Sequence, residues 1–528
     1  MNRKLVVAMA AAFFTTGALA HDDDAKSGAQ QLGKVNFPNS CKKEVQQQVQ
    51  RGVAMLHSFW WPAGQSTFQE IAAADPNCVV AAWGFASILM YNPFAGGNAS
   101  PADVALAQGA IEKGRQMGGK TQREKDYLEA VAAYWENYAG RTERDRAVAR
   151  SKAYEALAAK YPKDDEAQIF NAIYLIATQL ASDQTYANSL KAAAILEKQF
   201  AKYPNHPGVA HYLIHSYDAP PIAQKGVPSA KRYASIAPAA PHALHMPSHI
   251  FTRVGAWQES AATNRRSAEV ALKGKEGDDA LHATDYIVYA YLQLGRDNDA
   301  RKTYEEIARV SPSTGRFVGP YPLAAMPARL AVERGAWREA AQLQPMQSKF
   351  PFTEAVTYQA RAIGAARMGD VAAAKADVGE IERRRDALRA AKNDYWATEV
   401  EVMRLSSAAW VALADNRGDE ALGLARQAAD LEDKNEKHPV TPGRILPARE
   451  QLGEMLMELK RPKEALAEYE QSQKREPDRF RGLYGAALAA EMAGDARTAR
   501  RYYTRLVQVA GKGEQRAELT LARSYLAQ

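Results

Sequence analysis

The sequence predicts an all-α fold in which antiparallel helix pairs stack into a solenoid with a concave groove. Alanine-rich segments with apolar residues at 3.6-residue spacing run along the chain, a pattern typical of amphipathic helices. Gly-Asp, Gly-Arg and proline signals separate these segments, as they do between helices. Features also recur 34 residues apart, as Ala465 with Ala499 and Tyr469 with Tyr503. Helical units repeated at a fixed period stack into solenoids.

Length and charge limit the classes of protein that this chain can represent. Its 528 residues exceed what one compact core usually supports, while 46% apolar and 24% charged residues are ordinary for a folded chain. The formal net charge is +7, and the basic residues are scattered along the sequence. Nucleic acid is therefore not an expected partner.

The N-terminus predicts export. Residues 2–4 include Arg3 and Lys4, residues 5–17 form an apolar run too short to cross a bilayer, and Ala18-Leu19-Ala20 is a small-residue cleavage pattern. We interpret residues 1–20 as a signal peptide, 21–36 as a flexible tail and 37–528 as the solenoid. The protein is expected in a bacterial periplasm or outside the cell. No later apolar run reaches the roughly 20 residues of a membrane span.

Cys41 and Cys78 are the only cysteines. An oxidising compartment allows them to pair, and the predicted disulfide would join the two ends of the first helical hairpin. Two free buried thiols are the alternative.

Two pairs of histidines are the most informative local feature. His211 and His215 are four residues apart, as are His245 and His249, and the second pair follows the first by 34 residues. On a helix this spacing places both imidazoles on one face, which suits a metal ion or a polar ligand.

The repeat has a recognisable residue pattern. Leu452, Gly453, Ala465, Tyr469 and Pro477 stand at its large, small, small, aromatic and terminal-proline positions. On these residues the chain resembles the tetratricopeptide-repeat superfamily over most of its length after the signal peptide. The resemblance implies a groove that binds a peptide or a protein partner.

The same resemblance implies which histidines line the groove, because the first helix of each repeat forms the inner wall in that family. In the register of the repeat-ending prolines, His211 and His215 take the same inner positions as His245 and His249. Seven of the ten histidines fall on the predicted inner wall: His57, His211, His215, His242, His245, His249 and His282.

Five of these histidines, on two neighbouring helices, are the predicted metal ligands. Imidazole suits zinc, copper and iron, and the ligands would be His211, His215, His242, His245 and His249. Asp218 is predicted to lie beside them. Neither pair is an HExxH motif, so the general base of the zinc proteases is missing and no catalytic residue is assigned.

Two further groove residues, His57 and His282, carry less weight. A single inward histidine is more often a hydrogen-bonded structural residue than a ligand. Pro247 lies between His245 and His249 and is expected to kink the helix or to delay its start. This weakens the second histidine pair as a ligand set.

A second polar set is predicted farther along the chain. Glu450 and Glu454 take inner positions of their helix, with Arg449 beside them, and would form a wall for a cationic or peptide ligand. The alternative is a solvated helix face with an ordinary salt bridge. The proline-bearing stretch 438–447 is interpreted as an ordered loop that enters the groove or its rim.

A finer resemblance is to bacterial secreted repeat proteins without an established activity. Its motifs are the DPxCxxAxWG opening at 75–84, HYxIH at 211–215, HMPSHI at 245–250 and LPARE at 446–450. Two functions stay open. The first is an exported scaffold that binds a peptide or protein in its concave groove, and the alternative is a transition-metal-binding protein or metalloenzyme that uses the groove histidines.

Overall fold

The computed structural model describes residues 31–94, 99–312, 314–514 and 516–528, and within them the long regular elements are all α-helices, with no strand. Those of the first half are α1 Gln46–His57, α2 Trp61–Ala74, α3 Val79–Ile88, α4 Pro101–Met117, α5 Gln122–Trp135, α6 Glu143–Lys160, α7 Asp165–Ile176, α8 Ala187–Lys202, α9 Pro207–Tyr217, α10 Val227–Ile236, α11 Pro241–His245, α12 Pro247–Arg253 and α13 Trp257–Lys273.

The second half continues the same alternation. Its helices are α14 Gly277–Gln293, α15 Asp297–Ile307, α16 Pro320–Val332, α17 Trp337–Ala341, α18 Pro351–Arg367, α19 Val371–Ala390, α20 Asp394–Ala414, α21 Gly418–Asp433, α22 Ala448–Glu458, α23 Pro462–Arg475, α24 Phe480–Met492, α25 Ala496–Ala510 and α26 Ala517–Leu526. Short 3-10 turns occupy Lys43–Val45, Tyr138–Gly140 and Ala223–Gly226.

Local sequence signals explain where many helices begin and turn. Ser100, Thr121 and Thr142 form capping boxes that accept hydrogen bonds from the first turns of α4, α5 and α6. Gly255 and Gly295 end their helices with φ of +71° and +66°, where a side chain would be strained. These two glycines allow the sharp turn from one helix of a pair to the next.

The helices pack in pairs, and the first helices of successive pairs also touch, which builds an inner layer. From α7 this layer runs through α9, α12 and α11 to α14, and then through α16, α18, α20, α22 and α24. The predicted all-α solenoid of helix pairs is confirmed.

The inner layer closes on itself, so the concave side is narrow. Helix α1 packs against α9, and α14 packs against α24, although each pair is far apart in sequence. All eleven residues of α9 are consequently buried. A cavity of about 770 Å³ stays open on the inner side.

The segment after α21 crosses the inner side as an ordered loop. The Glu436 N–H donates to the Ala181 carbonyl at 3.0 Å, and the Arg329 guanidinium donates to the Gly443 carbonyl at 2.8 Å. Its residues His438, Pro439 and Val440 form part of the cavity wall. These hydrogen bonds join the loop to both halves of the chain.

The N-terminal prediction needs one correction. Residues 1–20, the predicted signal peptide, and 21–30 of the predicted tail lie outside the described residues. Within 31–36, however, Leu32 is buried in the first apolar core, and the Lys34 N–H donates to the Asn205 carbonyl at 3.0 Å. Burial of an apolar side chain holds this part against the fold, so the predicted flexible tail extends too far.

Membrane-spanning segments can be assessed only for the described residues. Among them, no helix combines the length and the apolar character that crossing a membrane requires.

The predicted disulfide is confirmed. Cys41, just before the first helical turn, is bonded to Cys78, the residue preceding α3. The bond therefore joins the two ends of the α1–α2 hairpin, and the alternative of two free thiols is wrong.

Reduction of this disulfide is expected to destabilise the N-terminal helices. The two cysteines are 37 residues apart, and closing a loop of that length raises the free energy of the unfolded chain by about 4 kcal/mol. Hydrogen exchange of α1 and α2 should rise in the Cys41→Ser/Cys78→Ser double variant, while α22–α24 stay unchanged. Equal protection of α1 in both proteins would contradict this expectation.

Candidate metal centre

The seven histidines predicted on the inner wall do not form one cluster. Six of them form two groups of three, and in each group one nitrogen from every ring lies within 4.8 Å of the other two. The first group is His211, His215 and His242, and the second is His245, His249 and His282. His282 thus joins the predicted ligands.

In the first group three Nε2 atoms meet. His215 Nε2 is 3.0 Å and His242 Nε2 is 3.2 Å from His211 Nε2. The Nδ1 atom of His211 lies 2.7 Å from the carbonyl oxygen of His57. A carbonyl can only accept, so Nδ1 carries the hydrogen and Nε2 presents a lone pair.

In the second group, hydrogen bonds fix the tautomers of the two rings that lie closest together, those of His245 and His249. His245 Nδ1 lies 2.6 Å from Asn264 Oδ1, and the Asn264 amide nitrogen donates to the Ser260 carbonyl. His249 Nδ1 lies 2.8 Å from a carboxylate oxygen of Asp218. Both Nδ1 atoms must therefore donate, which leaves both Nε2 atoms as lone pairs.

These two lone pairs face each other. His245 Nε2 and His249 Nε2 are 3.0 Å apart, and neither can donate a hydrogen bond to the other. His282 is 8% exposed, and its Nδ1 has no hydrogen-bond partner among the described residues. His245 Nε2 and His249 Nε2 therefore meet without a hydrogen between them, and one nitrogen of His282 lies within 4.8 Å of a nitrogen of each ring.

Protonation does not resolve this conflict. Burial, followed by repulsion from neighbouring histidines, holds the pKa of His211, His215, His242, His245 and His282 well below its ordinary value. Burial also lowers the pKa of His249, although the Asp218 carboxylate opposes the shift. The rings are therefore neutral near pH 7, as metal ligation requires.

The backbone explains why the second pair converges despite Pro247. Helix α11 ends at His245 and α12 begins at Pro247, so the proline does interrupt the helix. Met246 between them nevertheless has helical dihedral angles, φ −53° and ψ −37°. His245 and His249 therefore remain one turn apart on the same face.

Asp218 follows α9 and supports His249 by accepting a hydrogen bond from its Nδ1 atom. Its other carboxylate oxygen accepts from Arg253 at 2.8 Å. Burial would raise the pKa of Asp218, but the charges of Lys437 and Arg253 hold it well below its ordinary range. An ionised carboxylate that accepts from a ligand histidine orients the ring and raises its basicity.

Both histidine groups open onto the same cavity. His215 and His242 of the first group line it, as do His249 and His282 of the second. The remaining wall includes five aromatic residues, Trp60, Trp61, Tyr91, Phe94 and Phe317, and five charged ones, Lys275, Glu276, Asp278, Asp279 and Arg316. A metal ion in either group would therefore face space for an exchangeable ligand.

His57 has a structural role. Its Nε2 donates to Glu166 at 2.8 Å, and its Nδ1 accepts from the Tyr212 hydroxyl at 2.9 Å. His206, which the sequence did not suggest, donates to Glu166 at 2.9 Å and accepts from the Val209 N–H. Every ring nitrogen here has a complementary partner, so this His-Glu-His group is stable without a metal ion.

The second predicted polar set lies elsewhere. Glu450 is buried against Arg479 at 2.9 Å, and Glu454 pairs with Arg481. Arg449 pairs with Asp433 at 2.7 Å. None of the three predicted residues is part of the histidine-lined cavity wall. Glu450 thus belongs to a buried ion-pair network that joins inner helices.

Sequence reasoning missed several residues that hold or surround the centre. Asn264 on α13 fixes His245, and Lys437 lies buried near Asp218. No spacing rule indicates either residue, because Asn264 reaches the centre from the neighbouring helix α13 and Lys437 from the loop after α21. His438 belonged to the predicted loop, and its place in the cavity wall follows from the path of that loop.

Comparisons with known proteins locate no relative for this centre. No family model matches the sequence, and no curated protein matches it. Solved structures do match it. The APC/C hetero-tetramer Cut9-Hcn1 matches at 11% identity and a TM-score of 0.30, over 92% of this chain and 96% of that chain. The human IFIT1 dimer with m7Gppp-AAAA matches at 11% identity and a TM-score of 0.39, over 92% and 100%. At such identity the likeness is one of fold alone.

Replacing Arg479 should be far more costly than replacing Arg449. Arg479 is 0% exposed and pairs with Glu333 at 2.5 Å and Glu450 at 2.9 Å. Arg479→Met leaves two buried carboxylates unpaired and should lower the free energy of unfolding by roughly 3–5 kcal/mol. Arg449→Met removes partly exposed pairs worth up to about 1 kcal/mol. Urea unfolding of both variants checks this, and equal losses would contradict it.

His438 should make the fold sensitive to acid. Burial lowers the pKa of His438 to about 3, whereas an unfolded histidine has a pKa of about 6.5. The unfolded chain binds the extra proton, so this contribution is intact above about pH 6.5 and is lost progressively toward pH 3. Between pH 6.5 and pH 5 the loss is about 2 kcal/mol.

The variant His438→Gln provides the matched comparison. Its amide oxygen can still accept the Val440 N–H, which Nδ1 of His438 accepts at 3.1 Å, but it does not titrate. Urea midpoints from pH 8 to pH 5 should fall less steeply in the variant than in the original protein. Identical slopes would contradict the assignment.

Proposed function

We propose that this protein binds two transition-metal ions, one in each three-histidine group, and presents them to the cavity. The observation that supports this most directly is the 3.0 Å approach of His245 Nε2 and His249 Nε2. Both atoms present lone pairs, because Asn264 and Asp218 take the hydrogens on the opposite nitrogens. A cation between the rings turns this repulsion into ligation.

The His57–Glu166–His206 group is a useful contrast. It too brings three potential ligands together in the interior. There each imidazole donates to Glu166 and accepts at its other nitrogen, so a metal ion would displace existing hydrogen bonds. Metal binding is therefore proposed only for the two all-histidine groups, in which His211, His245 and His249 present Nε2 lone pairs to neighbouring imidazoles.

Three protein ligands on each ion favour a reactive or exchangeable site. Structural zinc sites are closed by four protein ligands, whereas catalytic sites leave a position for water or substrate. The ligands here are neutral imidazoles on packed helices, a set that suits zinc, copper or iron. The proposed function is that of a metal-binding protein whose ions can bind a further ligand in the cavity.

We also propose that this function takes place outside the cytoplasm, in a bacterial periplasm or in secreted form. The N-terminal charge and apolar pattern supports export, and the Cys41–Cys78 disulfide suits an oxidising compartment. A chain whose cysteines are both oxidised has no thiolate for metal binding, so histidine is the natural nitrogen ligand for a transition metal there.

Capture of a peptide or protein partner stays a prediction. The closed contacts of α1 with α9 and of α14 with α24 narrow the inner side. A cavity of about 770 Å³ is of the size that small-molecule sites have. The geometry of the histidine groups thus supports a metal centre with a small ligand more directly than an extended peptide.

The metal content of the protein tests the proposal. Protein isolated from the periplasm, or loaded with zinc, copper or iron and then desalted, should contain two metal ions per chain by elemental analysis. His249→Ala should retain one ion, held by the first group, and His211→Ala should retain one in the second. The melting temperature should rise with metal, because binding to the folded state alone stabilises it by about 4 kcal/mol at 1,000 times Kd.

Two further variants separate ligation from general damage. Asp218→Asn keeps the shape of the residue but weakens support for His249, and it should lower metal affinity about 10- to 100-fold. His438→Gln alters a cavity residue outside both groups and should retain two ions. A folded protein that binds no zinc, copper or iron would refute the proposal.

A further inference from the structure

We propose that the two three-histidine groups form one binuclear copper centre that binds dioxygen between its two ions. This inference rests on the proposed function, since it requires a metal ion in each group. It adds the identity of the metal, the cooperation of the two sites and the class of the exchangeable ligand.

The two groups are in contact with each other. The ring centroids of His215 and His249 are 6.1 Å apart, and those of His242 and His245 are 6.0 Å apart. In each case the two rings belong to different groups. These neighbouring rings bring the two sites side by side, and the proposal requires their ions to lie about 3.5–4 Å apart, as in other two-metal centres.

The charge of the surroundings favours copper in its monovalent state. All six proposed ligands are neutral imidazoles, and the carboxylate that contacts them, Asp218, is already paired with Arg253 at 2.8 Å. At a given separation two divalent ions repel each other four times as strongly as two monovalent ions. A buried pair of sites without a carboxylate ligand therefore suits two Cu(I) ions better than two Zn²⁺ or Fe²⁺ ions.

Ligand type leads to the same metal. Among divalent first-row ions, copper also binds nitrogen sites most tightly, so the site accommodates both oxidation states. Hard ions such as Mg²⁺ and Ca²⁺ require oxygen ligands, which neither group supplies. The rings are held by packing as well: Phe94 stacks on His215 at 4.1 Å, and Tyr233 stacks on His211 at 5.1 Å between centroids.

The open positions of both ions face one cavity. His215 and His242 line it for the first ion, and His249 and His282 line it for the second. The wall combines aromatic side chains with a charged patch of Lys275, Glu276, Asp278, Asp279 and Arg316, and the cavity has room for a molecule as small as dioxygen. His282 lines the cavity, and its Nδ1 is buried and has no hydrogen-bond partner among the described residues.

Dioxygen can accept the two electrons that a pair of Cu(I) ions supplies. Each Cu(I) gives one electron and becomes Cu(II), and the two electrons reduce dioxygen to peroxide while the O–O bond order falls from two to one. The O–O bond stays intact, and two copper–peroxide links form. Ascorbate supplied in the experiment returns both ions to Cu(I) by its two-electron oxidation, and two protons then release the peroxide as hydrogen peroxide.

The experiment uses the full chain loaded anaerobically with Cu(I) and desalted. We expect two copper ions per chain, uptake of one dioxygen molecule per two copper ions at an oxygen electrode, and an oxidised product without an electron paramagnetic resonance signal. The signal is absent because a shared ligand couples the spins of two Cu(II) ions. His282→Gln should retain one copper ion, and its oxidised form should show the full signal of one isolated Cu(II).

The outcomes separate this inference from the proposed function. Two bound ions whose oxidised form gives a full signal for both would overturn the shared centre and leave metal binding intact. Two zinc or iron ions that copper does not displace would overturn the choice of metal. A folded chain without metal would refute both proposals, and Arg449→Met, at a residue outside the cavity wall, should retain two coupled copper ions and controls for a general effect of substitution.

Discussion

The packing of the inner helical layer onto itself is the constraint from which the properties of this protein follow. Helix α9 contacts α1 as well as its neighbours α7 and α12, so the solenoid has no wide open interior. Polar side chains that would be solvated in an open groove are buried instead. His211 is 0% exposed, and His245 and His249 are each 2% exposed. Such residues must find partners inside the protein.

The hydrogen bonds that each imidazole makes with its surroundings determine which of these histidines can act as ligands. His57 and His206 have complementary partners at both nitrogens, and they hold Glu166 in the interior. His211, His245 and His249 instead each donate their single ring N–H to an acceptor outside their group. The inner nitrogens of His245 and His249 then meet as lone pairs, an arrangement that a cation would stabilise. Identical residue types in one core thus have different roles because their partners differ.

Some of this architecture could be predicted from sequence, because it depends on local spacing. The 34-residue offset between the histidine pairs predicts equivalent positions on successive repeats, and the structure places both pairs on the inner side. The disulfide was predictable because only two cysteines exist. The division of six histidines into two groups was not, since it depends on the distance between helices. For the same reason His282, thirty-three residues after His249, could not be assigned to a ligand set.

By itself the sequence determined the helical repeat, because periodicity along a helix sets which residues share a face, and it left one possible pairing for its two cysteines, while the resemblance to the tetratricopeptide-repeat superfamily implied the inward position of the histidines. Only the tertiary structure decided that the groove closes to a cavity, that Glu450 is neutralised by Arg479, and that Asn264 and Asp218 orient the rings of His245 and His249. Those partners come from distant parts of the chain. Which hydrogen each ring carries depends on contacts across helices, and no spacing along the sequence contains that information.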